Sequence, residues 1–288
     1  MIFLYVYDYN MIWIDGCFDG LHYGHFNGIL QVYKQKQGMK LGIHSDEEIA
    51  KYKGPSLFSE DDRYEMIKHC RFVDEVITDV PYVSTIETVT KYCCSQYAHG
   101  NDIPLSKDGI DCISGVRSAN GMYNEFQRTD GISTTHMKNQ IIEYLVNGTV
   151  LIDPVTDYEL QLKSEFDSVI DRQPPTDDDV IAYIENDWSF FNITHLQQLL
   201  EAKSKGTYLI VGIKDGLFQN RYQIYLNLCA YRFIDKLVWA TDKYPLMETD
   251  CIGSYDYVIK KIRNNVNDYK MYLFSKDESI TNKNSRLI

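Results

Sequence analysis

The chain has 288 residues, enough for two α/β domains that each bury their own core. Its formal net charge of -12 repels polyanions, and it has neither a long apolar run nor a basic amphipathic stretch, which excludes nucleic acid as a partner and stable membrane insertion. The seven cysteines form no CxxC pair, which argues against a zinc site or a disulfide framework and favours a reducing, cytoplasmic location.

The predicted elements of the first half begin at Met11, which is itself a candidate start of the chain. Short apolar runs at MIWID, KLGIHS and DEVIT predict strands, and the helical patterns of residues 26–37 and 59–71 lie between them. The alternation predicts a doubly wound parallel sheet over residues 11–147. Capping boxes are predicted at two helix starts, Ser59 with Asp62 and Ser84 with Glu87.

A polar, acidic stretch follows, and its prolines predict a linker over residues 148–179. Residues 180–288 then repeat the first half weakly and in the same order. The matching pairs are His25 with His195, Gly42-Ile43 with Gly212-Ile213, RFVDEVI (71–77) with RFIDKLV (232–238), and FQRTDGIST (126–134) with FSKDESITN (274–282). The repeat predicts an internal duplication whose second copy has diverged.

The turn after the first predicted strand, DGCFDGLHYGH (15–25), carries the clearest chemistry. Its glycines allow backbone amides to approach a ligand closely, and the helix that follows offers free N–H groups to an anion. His22 and His25 fall on one face of that helix start, where both imidazoles can donate hydrogen bonds to a triphosphate. The alternative is a pair of ordinary core or surface histidines beside a helix start.

The turn resembles the HxGH motif of the superfamily that contains cytidylyltransferases and aminoacyl-tRNA synthetases. A second segment, RTDGISTT (128–135), resembles the RTxGISTT motif of cytidylyltransferases, and no KMSKS-like loop of a synthetase is present. HSDEEIAKYKGP (44–55), PYVSTIET (81–88) and HGNDI (99–103) are most similar to the ethanolamine-phosphate cytidylyltransferases. That family has two tandem units, so the resemblance implies two Rossmann-like, doubly wound domains.

The resemblance implies transfer of CMP from CTP to phosphoethanolamine, with Mg²⁺ arriving on CTP and held by phosphates and water. It implies four catalytic residues: His22, His25, Lys53 and Arg128. The implied nucleotide contacts are Gly16, Cys17, Phe18, Asp19, Gly24, His25, Gly100, Asp102, Arg128, Thr129, Gly131, Ile132, Ser133 and Thr134. The implied head-group contacts are Asp15, Lys53, Tyr82, His99, Asn101 and Asp102.

Several alternatives stay open at this point. Lys53 alone is equally a solvated loop lysine, Ser133 a helix cap, and Arg63 and Arg71, which match basic family positions, are also explained by helix-surface salt bridges. Choline-phosphate and glycerol-3-phosphate cytidylyltransferases are similar but have one unit, and a CTP-binding protein without turnover is a further alternative. Leu105 stands where the choline enzymes carry an aromatic residue, which favours a primary amine.

The second half departs from the family pattern. At the position of the turn it has ENDWSFFNITH (185–195), in which only His195 survives, and Lys276 and Ser279 stand in the echo of the second motif. We therefore expect it to keep the fold, to lack catalysis and to leave one CTP site per chain. The sequence leaves the oligomeric state open, a homodimer included.

Overall fold

The computed structural model describes residues 11–170 and 172–240. The first half contains a five-stranded sheet in the order β3-β2-β1-β4-β5, and every pair of neighbouring strands is parallel. Its strands are β1 (Met11–Gly16), β2 (Gly38–His44), β3 (Glu75–Val80), β4 (Gln96–Gly100) and β5 (Tyr123–Phe126). Its helices are α1 (Tyr23–Tyr33), α2 (Asp46–Tyr52), α3 (Glu60–Lys68), α4 (Ile86–Lys91), α5 (Ser114–Arg117) and α6 (Thr134–Asn147).

This sheet confirms the predicted α/β class. The strand order changes direction between β1 and β4, and ligands of open parallel sheets bind outside the carboxyl ends of the strands at such a point. The centre of β1 is buried on both faces, with Ile12 and Ile14 on one side and Trp13 on the other. The end of β1 therefore fixes the position of whatever follows it.

The second half has the same order of elements around a three-stranded parallel sheet, β6-β7-β8. Its described elements are α7 (Asp157–Val169), β6 (Ile181–Asn186), α8 (Ile193–Ser204), β7 (Tyr208–Ile213), α9 (Arg221–Leu228) and β8 (Lys236–Trp239). Asp15 pairs with Gly42 in the first sheet, and Glu185 pairs with Gly212 in the second, so the two registers match. The structure therefore confirms the duplication for these strands, whereas the echo at 274–282 lies outside the described residues.

The stretch expected as a linker contains a packed helix, α7, which its composition did not predict. Thr156 and Glu159 form a capping box at the start of α7, and Leu162 and Phe166 are buried. The ring of Phe166 meets Phe72 edge to face at 5.7 Å between centroids. The polar composition hid a single apolar stripe, which is enough to dock a helix. The domain bounds 11–147 and 180–288 stay a prediction.

One of the two predicted caps is also corrected. Ser59 accepts a hydrogen bond from Asp62 N at 3.4 Å and caps α3 as expected. At α4 the cap is Thr85, which forms a capping box with Thr88. Ser84 donates instead to the carboxylate of Asp15, which takes its hydroxyl away from the helix start. No helix within the described ranges is long and apolar enough to cross a membrane.

Two arginines from the repeated RF motifs join the halves in a reciprocal contact, here called the arginine clasp (Arg71 and Arg232). Arg71 donates from Nη2 to the carbonyl oxygens of Tyr231 (2.6 Å) and Ile234 (3.0 Å). Arg232 donates from Nη2 to the carbonyl oxygens of Cys70 and Val73 at 2.5 and 3.1 Å. The backbone amides repeat the exchange, from Arg71 to Ala230 and from Arg232 to His69. A helix-surface salt bridge is therefore the wrong account of Arg71.

Candidate active site

The two histidines of the turn hold each other and the backbone at the start of α1. His22 is the N-cap, and its Nδ1 accepts from Gly24 N at 3.1 Å, while His25 Nδ1 accepts from His22 N at 3.3 Å. The ring centroids are 3.9 Å apart. A neutral imidazole that accepts at Nδ1 carries its proton on Nε2. Each histidine is therefore fixed in the tautomer that presents an Nε2–H donor.

Burial, aided by nearby positive charge, keeps both imidazoles neutral. Burial and, to a smaller extent, the charge of Arg128 lower the pKa of His22 to about 3. Burial also lowers the pKa of His25 well below its usual range, aided by His22, Arg128 and Lys53. The pair acts at neutral pH through directed hydrogen bonds, and the positive charges beside it come from the arginine and the lysine.

Two glycines make the tight packing of the turn feasible. Gly20 has φ +60, in the left-handed region, and an added Cβ would lie 3.0 Å from Thr134 Cγ2. A Cβ on Gly24 would lie 2.8 Å from Ile132 Cγ2. The turn and the second motif, which are far apart in sequence, are thus in direct contact.

Asp19 secures the loop that follows α2. Its carboxylate accepts from Leu57 N at 2.8 Å and from Phe58 N at 3.0 Å, and Lys138 Nζ lies 3.3 Å away. Its carbonyl oxygen accepts from the Thr134 hydroxyl at 2.6 Å. The structure places this side chain on the loop, and its direct contact with a nucleotide stays a prediction.

Arg63 joins the ends of the first two strands and is fully buried, at 1% exposure. Its Nη1 donates to the carbonyl oxygens of Cys17 (2.7 Å) and His44 (2.9 Å), and its Nη2 donates to Asp46 Oδ1 at 2.9 Å. A helix-surface salt bridge is the wrong account of this residue as well. The signal in the sequence was its place on the same helical face as Met66 and Ile67 of α3.

Lys53 follows α2 directly and is exposed. Burial lowers the pKa of His25 and raises that of Cys17, and the charge of Lys53 adds to the first shift and opposes the second. The ammonium is therefore within electrostatic reach of both residues. An exposed cation beside two buried donors provides a second point of attachment for a phosphate chain.

The second motif supplies the other wall. Arg128 is 61% exposed and pairs through Nε with Asp102 Oδ1 at 2.7 Å. Thr129 Oγ1 accepts from Asn27 Nδ2 at 2.8 Å, and Ser133 caps α6 by accepting from His136 N at 3.0 Å. The cap proposed for Ser133 is confirmed. The free N–H groups of α6 therefore begin beside the turn.

The residues predicted for the head group fall into two groups. Asn101 accepts from Arg128 N at 3.0 Å, so both Asn101 and Asp102 contact Arg128. A Cβ on Gly100 would lie 2.9 Å from Arg128 Cγ, so the strand end passes directly under that side chain. Asp15 is the penultimate residue of β1 and accepts from Tyr97 OH at 2.9 Å.

The second group is Asp15, Tyr82 and His99, and aromatic rings lie beside its members. Tyr82 lies against His44 with centroids 4.9 Å apart and stacks on Tyr52 at 5.0 Å. His99 stacks on Tyr97 at 6.0 Å. His44, Tyr52 and Tyr97 are not among the residues predicted from the sequence for this site. The available signal was alternation: Tyr97 and His99, like Trp13 and Asp15, lie two residues apart and so on one face of a strand.

The corresponding turn of the second half has the same backbone shape but has no imidazole at the position of His22. Asn192 is the N-cap where His22 stands in the first half, and it accepts from Thr194 N at 2.9 Å. Phe190 occupies the place of Gly20 with φ +50. His195 is fully buried against Trp188 and Phe191, and burial lowers its pKa to about 3.

Within residues 11–170 and 172–240 no group of three or more His, Cys, Asp and Glu side chains is placed to hold a metal ion.

A glycine-containing turn that leads into a helix at the switch point of a parallel sheet is the arrangement of nucleotide-binding α/β domains. Residues 13–140 match the family model described as cytidylyltransferase-like, which defines the first half as a domain of that class.

The similar proteins extend the match to most of the chain. The ethanolamine-phosphate cytidylyltransferase of Dictyostelium discoideum is 29% identical over 79% of this chain and 72% of its own length. A protein of Encephalitozoon cuniculi named probable ethanolamine-phosphate cytidylyltransferase is 33% identical over 79% and 74%. The Mus musculus enzyme is 44% identical over 131 residues, which are 46% of this chain and 32% of the mouse protein. The chain belongs to the ethanolamine-phosphate cytidylyltransferase family.

Proposed function

We propose that the protein transfers CMP from CTP to phosphoethanolamine, giving CDP-ethanolamine and pyrophosphate for phosphatidylethanolamine synthesis. The observation that carries this is the contact of Ile132 and Thr134 with the glycines of the HxGH turn, which joins the two motifs beside the end of β1. Membership of the family supports the substrate pair.

In the proposed reaction an oxygen of the substrate phosphate attacks the α-phosphorus of CTP as the bond to the β-phosphate oxygen breaks, and pyrophosphate leaves with that electron pair. No covalent intermediate with the protein is needed, so the chain positions the reactants and stabilises charge. His22 and His25 donate from Nε2 to the triphosphate. Lys53 bridges the reacting phosphates, and Arg128 exchanges Asp102 for the β or γ phosphate.

Mg²⁺ is proposed to enter with CTP. When bound it would neutralise phosphate charge and would take phosphate oxygens and water as its ligands. The backbone amides at the start of α6 and the hydroxyl of Ser133 bind the triphosphate beside it.

A primary amine is the proposed preference over a quaternary one. Leu105 is 55% exposed and offers no aromatic face to three methyl groups, while an ammonium can donate hydrogen bonds to Asp15. We also propose a cytoplasmic location, and a homodimer is the quaternary state to test.

A turnover assay with CTP and each of three acceptors tests the function. We expect kcat/KM to be highest for phosphoethanolamine, lower for phosphocholine and lowest for glycerol 3-phosphate. Equal values for the two amines would remove the preference and leave the cytidylyltransferase activity. Activity with glycerol 3-phosphate alone would assign a different acceptor, and CTP binding without any turnover would contradict the enzymatic proposal.

A further inference from the structure

The carboxylate of Asp15 is buried, at 9% exposure, and three side chains of its own domain donate to it. Trp13 Nε1 donates to Oδ2 at 2.8 Å, and Tyr97 OH donates to Oδ1 at 2.9 Å. Ser84 Oγ donates to Oδ2 as well. The donors come from β1, from β4 and from the loop before α4, so they fix the plane of the carboxylate from several directions.

None of these donors carries a positive charge. His44 is close enough for Asp15 to raise its pKa, but burial outweighs that effect and lowers the pKa, so the imidazole is neutral at pH 7. Burial raises the pKa of Tyr97 well above its usual range, and Asp15 raises it further, so the phenol stays a donor. Among the ion pairs of the described residues none involves Asp15, which leaves a buried carboxylate without a cation.

The second half shows what completes such a site. Glu185 stands at the position of Asp15, and Tyr183 OH donates to its Oε2 at 2.5 Å in the way that Trp13 donates to Asp15. Lys214, which follows β7 where His44 ends β2, places its Nζ 3.1 Å from Glu185 Oε1. An ammonium group of the chain therefore occupies the place that is left empty of cations in the first half.

We propose that Tyr97 and Ser84 are positioning residues that aim Asp15 at the ammonium of the substrate, which takes the place that Lys214 takes in the second half. This inference rests on the proposed function. A carboxylate has about four acceptor positions, and three are already used, so the remaining one lies on Oδ1 beside Tyr97. The ammonium makes one direct hydrogen bond to Asp15 and is otherwise met by the surrounding rings.

The test compares an acceptor with its counterpart that lacks the amine. We would measure the KM of phosphoethanolamine and the inhibition constant of ethyl phosphate against it, in wild type and in Tyr97→Phe, Ser84→Ala and His44→Lys. In Tyr97→Phe we expect the KM of phosphoethanolamine to rise by about tenfold while the inhibition constant of ethyl phosphate and the KM of CTP stay within about twofold. Ser84→Ala changes in the same direction. His44→Lys introduces a competing ammonium and raises the same KM.

Tyr123→Phe is the matched control, because Tyr123 stacks on Tyr97 at 6.4 Å and its hydroxyl faces Glu125, away from Asp15. Equal losses for phosphoethanolamine and ethyl phosphate in Tyr97→Phe would show a structural role and overturn the inference. An unchanged KM in both Tyr97→Phe and Ser84→Ala would also overturn it. A wild-type protein that does not turn over phosphoethanolamine would overturn the proposed function itself, and this inference with it.

Discussion

At the residue scale, the HxGH turn determines the protonation state of His22 and His25. Two imidazoles 3.9 Å apart cannot both be charged at low cost, and the fold makes both of them neutral by burial. The backbone amides of His22 and Gly24 then fix the tautomers, so the two Nε2–H groups are aligned before a nucleotide binds. This pre-alignment is what stabilisation of a transferring phosphate requires.

The cap and the chemistry of His22 can be separated experimentally. His22→Asn keeps a side chain that caps the helix, as Asn192 does in the second half, but it removes the Nε2–H donor. We expect kcat to fall by about a hundredfold or more with little change in Tm. Asn192→Ala is the complementary control, which lowers Tm and leaves kcat unchanged. Near-normal turnover of folded His22→Asn would remove His22 from the catalytic residues.

The same prediction extends to His25. His25→Ala removes the second donor and the hydrogen bond that His25 accepts from His22 N. We expect a loss in kcat of about a hundredfold or more, measured at saturating CTP. A folded variant with normal kcat would show that the turn does not carry the chemistry.

His195 gives a pH dependence of stability whose sign follows from its burial. Its pKa is about 3 in the folded chain and 6.5 when exposed, so between these values the unfolded state binds a proton that the folded state does not. The contribution of neutral His195 to the free energy of unfolding is therefore fully present above pH 6.5 and is lost as the pH falls towards 3. Replacing His195 by Leu should reduce the loss between pH 7 and pH 5 by about 2 kcal/mol, measured by urea unfolding at both pH values. An unchanged difference between the two pH values would show that His195 is not buried neutral, and turnover at pH 7 should be unaffected.

At the element scale α2 distinguishes the two halves. β2 ends at His44 and α3 begins at Glu60, whereas β7 ends at Ile213 and α9 begins at Arg221. The shorter connection has no counterpart of α2 and therefore none of Lys53. Ile224 of α9 stands at the position of Arg63 in α3, four residues after the N-cap, and is buried. The second half therefore also lacks the guanidinium that joins the strand ends in the first half. The shorter connection and α9 thus lack counterparts of Lys53 and Arg63, respectively.

Lys53→Met tests the function of this element. The substitution keeps the apolar stem and removes the charge from an exposed position, so Tm should not change. We expect kcat/KM for phosphoethanolamine to fall by about a hundredfold or more, because the reacting phosphates lose a bridging cation. Lys51→Met on the same helix is the matched control, since Lys51 is exposed and lies 3.8 Å from Glu48. Similar losses in both variants would indicate a general effect of surface charge.

The sequence was sufficient for the elements whose pattern is local. The parallel strands, the phosphate turn and the Ser59 cap followed from apolar runs, glycines and capping residues. It was insufficient where a distant partner decides the outcome. The hydroxyl of Ser84 donates to Asp15, 69 residues away in sequence, and does not cap α4. Arg63 is buried because it donates to carbonyl oxygens at the ends of two strands. The composition did not predict α7, because its apolar stripe, with Leu162 and Phe166, lies within a segment that is mostly polar and charged.

At the scale of the whole molecule the second half is a folded partner without the groups for catalysis in its described part. Its turn has no imidazole where His22 stands, and its carboxylate Glu185 is already paired with Lys214. Its core is continuous with that of the first half: Phe26 meets Tyr231 at 5.6 Å between ring centroids, and Phe191 meets Tyr231 at 4.8 Å.

We therefore expect one CTP site per chain. Isothermal titration of the protein with CTP should give a stoichiometry near one, because a second triphosphate would meet a left-handed Phe190 where Gly20 allows close approach. Arg128→Ala should weaken this binding, whereas Lys214→Met should leave it unchanged. A stoichiometry of two, with equal affinities, would contradict the loss of the second site.

The arginine clasp has a consequence for how sequence change is tolerated. Each guanidinium satisfies carbonyl groups of the other copy, so the loss of either arginine leaves polar groups unpaired on both sides of the seam. A defect that begins at this seam in the second half is therefore transmitted directly to the first half. Because each half supplies hydrogen-bond donors to backbone carbonyl groups of the other, a sequence change at either arginine affects the folding of both halves.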